Sequence, residues 1–120
     1  MSVGIVGGSV SPSTALTLNA QTGTTYTFVL TDANNTLVTA SNASAQTYTI
    51  PPNSSVAYPI GSQINIIQIG AGQVSFAQGS GVTIASTGAT STAPKLRVQY
   101  SVATAIKVNT DSWYVTGDIA

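Results

Sequence analysis

The sequence predicts an all-β fold, an antiparallel β-sandwich or jelly-roll-like domain without significant helix. Three observations carry this. Hydrophobic residues recur with a period of two, and no segment keeps a helical period over three turns. Gly, Pro and Asn clusters separate the alternating runs at the spacing of a small sandwich. Ser and Thr make up about a quarter of the 120 residues, and β-branched Thr fits a pleated surface.

The elements follow in chain order. Ala15 to Leu18 is a short alternating run. In Thr25 to Thr31, Tyr26, Phe28 and Leu30 share one face, and Thr25, Thr27 and Thr31 share the other. Asn34-Asn35 supplies a turn with positive φ. Gln46 to Ile50 alternates again and is stopped by Pro51-Pro52-Asn53, because proline donates nothing to a ladder. Ile64 to Ile69 breaks strict alternation between Ile66 and Ile67, which predicts a central strand buried on both faces or carrying a bulge. Gly70-Ala71-Gly72 is expected to join it to Gln73–Ala77 as a tight hairpin, and Gln78 to Gly81 leads on to Val82–Ala85. After a Gly/Ser/Thr/Ala-rich loop, Leu96, Val98 and Tyr100 alternate with Lys95, Arg97 and Gln99, and Ser101 to Val108 reads as a strand. The strings Gly72 to Ala77 and Gly81 to Ser86 are alike, as stacked coils would be, but two units fall short of the three that a solenoid needs.

The length suits one β domain over residues 14–120, preceded by a Gly/Ser-rich N-terminal arm over residues 1–13 that could dock on a neighbouring protein. The N-terminus has neither the basic nor the apolar region of a signal peptide. No stretch approaches the roughly 20 apolar residues of a membrane helix.

Charge is scarce: three Lys or Arg, three Asp, no Glu and no His, with a net charge of zero. A nucleic-acid surface needs several cations, and an anionic membrane attracts clusters of them, so neither partner is expected. Without histidine there is no Ser-His-Asp or Cys-His arrangement, and Asp32, Asp111 and Asp118 are far apart in sequence. No enzyme is expected, and no cofactor or metal. Asp32 with Asn34 and Asn35 offers a few oxygens to calcium, but turn capping and solvation account for all three aspartates. A weakly charged, neutral surface favours association. Trp113 and Tyr114 are adjacent, so in a strand they point to opposite faces, and one of them leaves the local core. They are the candidate interaction residues.

Several strings occur in a telling order: Leu30 to Ala33, Ser44 to Gly61, Gln68 to Val74, Gly79 to Ile84, and Asp111 to Ile119. Over residues 24–119 the chain resembles a β-rich module of tailed-phage virion proteins, often found at the C-terminus of tail-fibre or other particle-surface proteins. The resemblance implies a structural module that forms homo-oligomers, often trimers, and it brings no catalytic residues. In the fibres the module ends a much longer chain, whereas here it is nearly the whole sequence. The expectation is therefore a virion protein of capsid decoration (cement) or head-fibre type. It would bind another virion protein such as the major capsid protein. The alternative is a tail-fibre or receptor-binding module that recognises a host-surface glycan or protein.

Overall fold

Nine strands emerge from the alternating runs in a computed structural model that describes residues 15–120. They are β1 (Thr17–Gln21), β2 (Thr25–Thr27), β3 (Thr36–Ala40), β4 (Gln46–Ile50), β5 (Gln63–Gln68), β6 (Val74–Gln78), β7 (Thr83–Ser86), β8 (Val102–Asn109) and β9 (Ser112–Gly117). Among the described residues there is no α-helix, only the 3-10 turn Leu30–Asp32. The all-β class therefore holds. The expected arm over residues 1–13 lies outside the described residues.

The strands form a large sheet, in the order β1-β3-β5-β8-β9-β7, and a small sheet, β2-β4-β6. The chain alternates between them, so β1–β2, β3–β4 and β5–β6 are successive turns of a coil laid side by side. Five of the seven ladders between these strands are parallel, and only β5–β8 and β8–β9 run antiparallel. The antiparallel arrangement expected from the sequence is corrected here. A period of two reports which face a residue occupies, and it is the same for parallel and antiparallel neighbours. From the second turn to the third the register advances equally in both sheets: Leu37 lies beside Asn65 and Gln46 beside Val74, 28 positions on in each case.

Gly70-Ala71-Gly72 is not a hairpin, because β5 and β6 belong to different sheets. It is a corner, and it rests on the corner of the previous turn. A Cβ on Gly72 would lie 1.8 Å from the Ser44 carbonyl oxygen, and one on Gly70 would lie 2.5 Å from Asn42 backbone atoms. The glycines are required by close approach of two chains rather than by a reversal. Hydrogen bonds close the column. Gly72 N–H donates to the Asn42 carbonyl (2.8 Å), and the Asn42 side-chain amide donates to the Thr22 carbonyl of the first turn (2.7 Å). Two buried glutamines satisfy the corner from inside. Gln68 accepts from Val74 N–H and donates to the Gly70 carbonyl, and Gln46 donates to the Gly72 carbonyl.

The core lies between the sheets. Val38, Ile64, Ile66, Ala103, Ala105, Trp113 and Val115 of the large sheet meet Tyr48, Ile50, Val74 and Phe76 of the small one. Phe28 joins the edge turn to this core, its ring 5.7 Å from Tyr48 and 6.3 Å from Phe76. β5 is central, as expected, and its alternation is unbroken. Ile64, Ile66 and Gln68 face inward, and Asn65 and Ile67 face the other way. The register slip falls elsewhere, in β8 between Lys107 and Asn109. The expected strand through Tyr100 is cut short. Lys95 bridges to Ser75 and Leu96 to Ile119, while Val98 and Tyr100 lie exposed in a turn where Tyr100 adopts φ 70°.

Lys107 faces the core from β8 and is buried. Its Nζ donates to Asn53 Oδ1 (2.6 Å) and to the Tyr58 carbonyl (2.7 Å), and Asp111 accepts from Asn53 N–H (2.8 Å). Together these bonds tie the long connection between β4 and β5 to the β8–β9 pair. Tyr58 then packs edge-on against Trp113, with ring centroids 5.3 Å apart.

Two outcomes follow for unfolding experiments. Gly72→Ala forces the two corners apart and is expected to cost about 3 kcal/mol, the upper range for overpacking, read as a lower urea midpoint. Lys107→Met keeps the stem but leaves the buried Tyr58 carbonyl and the half-buried Asn53 Oδ1 without this donor, and is expected to cost about 2 kcal/mol in the same assay.

Candidate functional site

Of the two candidate residues, Trp113 lies in the core, 2% exposed, and Tyr114 lies on the outer face of the large sheet, 54% exposed. Adjacent positions on β9 divide as strand geometry requires. Trp113 is therefore corrected to a packing residue, held by Tyr58, and Tyr114 alone remains at the surface.

The pairing registers show what surrounds Tyr114. One row across the outer face runs Ala85, Tyr114, Ile106 and Gln63. A second runs Thr116, Thr104, Asn65, Leu37 and Leu18. A third runs Val102, Ile67, Thr39 and Ala20. No charged residue stands in any of the three rows. The inward positions Val38, Ile64, Ile66, Ala103, Ala105, Trp113 and Val115 are buried, and the residues of these rows are half-buried or exposed. No described element covers this face.

At the β1 end of the stack the polarity of the strand is inverted. Thr17, Asn19 and Gln21 sit beside Thr36, Val38 and Ala40 of β3, all three of which are buried, so β1 turns its polar side inward. Leu18 turns outward and is 66% exposed. The inward amides form a network with the 3-10 turn. Gln21 Nε2 donates to Asn19 Oδ1 (2.9 Å), and Asn19 Nδ2 donates to Asp32 Oδ1 (2.7 Å). Asp32 Oδ2 accepts from the Tyr26 hydroxyl (2.7 Å) and from Val29 N–H (2.9 Å). Asp32 does cap a turn, as expected, but it is buried rather than solvated. These groups line an open cleft of about 410 Å³ with Thr17, Thr31, Thr36, Leu18 and Val29.

Asp32 is buried without an ion-pair partner, since Arg97 with Asp118 is the one salt bridge among the described residues. Its hydrogen-bond donors do the work of a counter-charge. Burial, and then the bond to the Asp32 carboxylate, push the Tyr26 hydroxyl up to about 12. Burial, with the Asp32 charge, pushes Tyr48 up to about 12 as well. Among the described residues no group of three His, Cys, Asp or Glu could hold a metal ion.

The cleft residues escaped the sequence reading for identifiable reasons. Alternation puts Tyr26 on one face with Phe28, where it does pack against the core, and nothing in it marks the hydroxyl as bonded to Asp32, which reads as an ordinary turn cap. The alternation of Thr17, Asn19 and Gln21 with Leu16, Leu18 and Ala20 is visible in the sequence, but the usual assignment puts the leucines inside. Scans against protein-family models, curated proteins and solved structures returned no match.

The tyrosines yield a test at high pH. Their folded-state values lie above the ordinary value of 10, so their contribution to stability is full below pH 10 and is lost as pH rises towards about 12. Urea midpoints are expected to fall through that window, in step with tyrosinate absorbance, and Tyr26→Phe should make the fall shallower.

Proposed function

We propose that this chain is a structural protein of a tailed-phage particle, of capsid decoration or head-fibre type, that assembles as a homo-oligomer. A trimer is the favoured state. The uncharged outer face of the large sheet carries this reading. It presents Leu18, Tyr114 and Val102 with Leu37, Ile67 and Ile106 between them, and hydroxyls of Thr39, Thr104 and Thr116 solvate it without charge. Burial of such a face against another subunit gains apolar contact and meets no repulsion or charge-desolvation cost. Exposed tyrosine is a favoured anchor at such surfaces. In the particle, a neighbouring virion protein such as the major capsid protein would be the further partner. No catalysis is assigned.

Light scattering on the purified chain tests the assembly. A mass three times that of the chain is expected, and a clean monomer at working concentration overturns it. Tyr114→Asp places a charge on this face and should shift the mass towards monomer while leaving the far-ultraviolet spectrum unchanged. For the particle, immunogold labelling of virions that carry the chain should decorate the head at high copy; label confined to the tail would favour a fibre role.

A further inference from the structure

We infer that the cleft between β1, β2 and the Leu30–Asp32 turn binds a neutral polyhydroxylated ligand, the chemistry of a sugar ring. The inverted polarity of β1 is the first observation. A strand that exposes Leu18 and turns Thr17, Asn19 and Gln21 inward is in the unfavourable one of its two possible facings, and a shift of one residue would reverse it. The bonds that Asn19 Nδ2 donates to Asp32 Oδ1 and to the Tyr26 hydroxyl hold it there.

The second observation is the hydrogen-bonding capacity that the network leaves over. Asp32 Oδ1 accepts one bond where Oδ2 accepts two. The Gln21 amide donates one N–H to Asn19 and keeps its other N–H and its carbonyl oxygen for a ligand. Thr17 and Thr31 add hydroxyls at the wall. Acceptors and adaptable groups predominate, so a fitting ligand brings hydroxyl donors. A divalent cation is poorly served, because a single carboxylate lines the cleft. Val29 and the Tyr26 ring provide apolar surface for the C–H face of a ring. A cleft of about 410 Å³ lies within the usual range for small-ligand sites. The network is already assembled, so little ordering remains to be done on binding.

The site shares no row with Tyr114, and the inference stands whether or not the chain belongs to a virion. Nitrogen-15-labelled full-length chain, titrated with methyl glycosides of glucose, galactose, mannose and N-acetylglucosamine and then screened on a glycan array, tests it. At least one of these sugars is expected to shift the side-chain amide signals of Asn19 and Gln21 and the backbone amide of Val29. Gln21→Ala, which leaves the three bonds to Asp32 in place, should weaken that binding roughly tenfold. Asp32→Asn should abolish it, and circular dichroism will report whether that variant is folded. The inference is overturned if no sugar shifts these signals and the array is blank, if the shifts survive Gln21→Ala unchanged, or if calcium chloride alone reproduces them.

Discussion

The stacking of one corner directly upon the next is the constraint on which the rest of the structure depends. Asn42 stands in the middle of that column, bonded to Thr22 on one side and approached by Gly70 and Gly72 on the other. Because the corner joins the two sheets, fixing it fixes both ladders at once. The equal advance of β3 to β5 and of β4 to β6 is the visible result. Parallel pairing needs a crossover between neighbours, and here the crossover is the strand of the opposite sheet. The second and third turns are thus one winding with matched registers, whereas from the first turn to the second the advance is 19 positions in the large sheet and 22 in the small one.

Face assignments were legible in the sequence to the extent that alternation reports them. Tyr48 and Ile50 point inward and Thr47 outward, Pro51 ends β4, and Asn34 takes positive φ, all as its chemistry suggests. Strand direction was not legible, since the repeat is uneven. Leu18 lies beside Leu37 and Leu37 beside Asn65, so the turns differ by nine residues in length. The likeness between Gly72–Ala77 and Gly81–Ser86 drew attention to the wrong pair of segments, because β6 and β7 lie in different sheets. In the cleft, composition alone could not say that the strand carrying Leu18 would face the other way. That depends on Asp32, fifteen residues after Thr17, arriving between Asn19 and Tyr26.

Charge is used sparingly and, in two of six cases, internally. Lys107 and Asp32 are both buried, yet they occupy separate regions and are not paired with each other. Each is compensated by neutral partners, amides, carbonyls and a phenol. This form of compensation is directional: a hydrogen-bond network tolerates less displacement than a contact between apolar side chains. Lys107 fixes the long connection before β5, and Asp32 fixes the first turn of the coil. At the surface, Arg97 and Asp118 clamp the C-terminal strand segment to the turn at Ser101, and the arginine holds the Asp118 carboxyl below its usual range.

A winding of this kind raises the question of what stops it. Each added turn buries the open end of the last, so an apolar terminal interior invites the next turn from another molecule, and filaments follow. β1 presents Asn19, Gln21 and Thr17 at that end instead of valine and isoleucine. A polar interior gives an incoming copy little to bury and several groups to strip of water. The inversion that exposes Leu18 therefore also works against a further turn from another molecule, which would find little apolar surface to bury at that end.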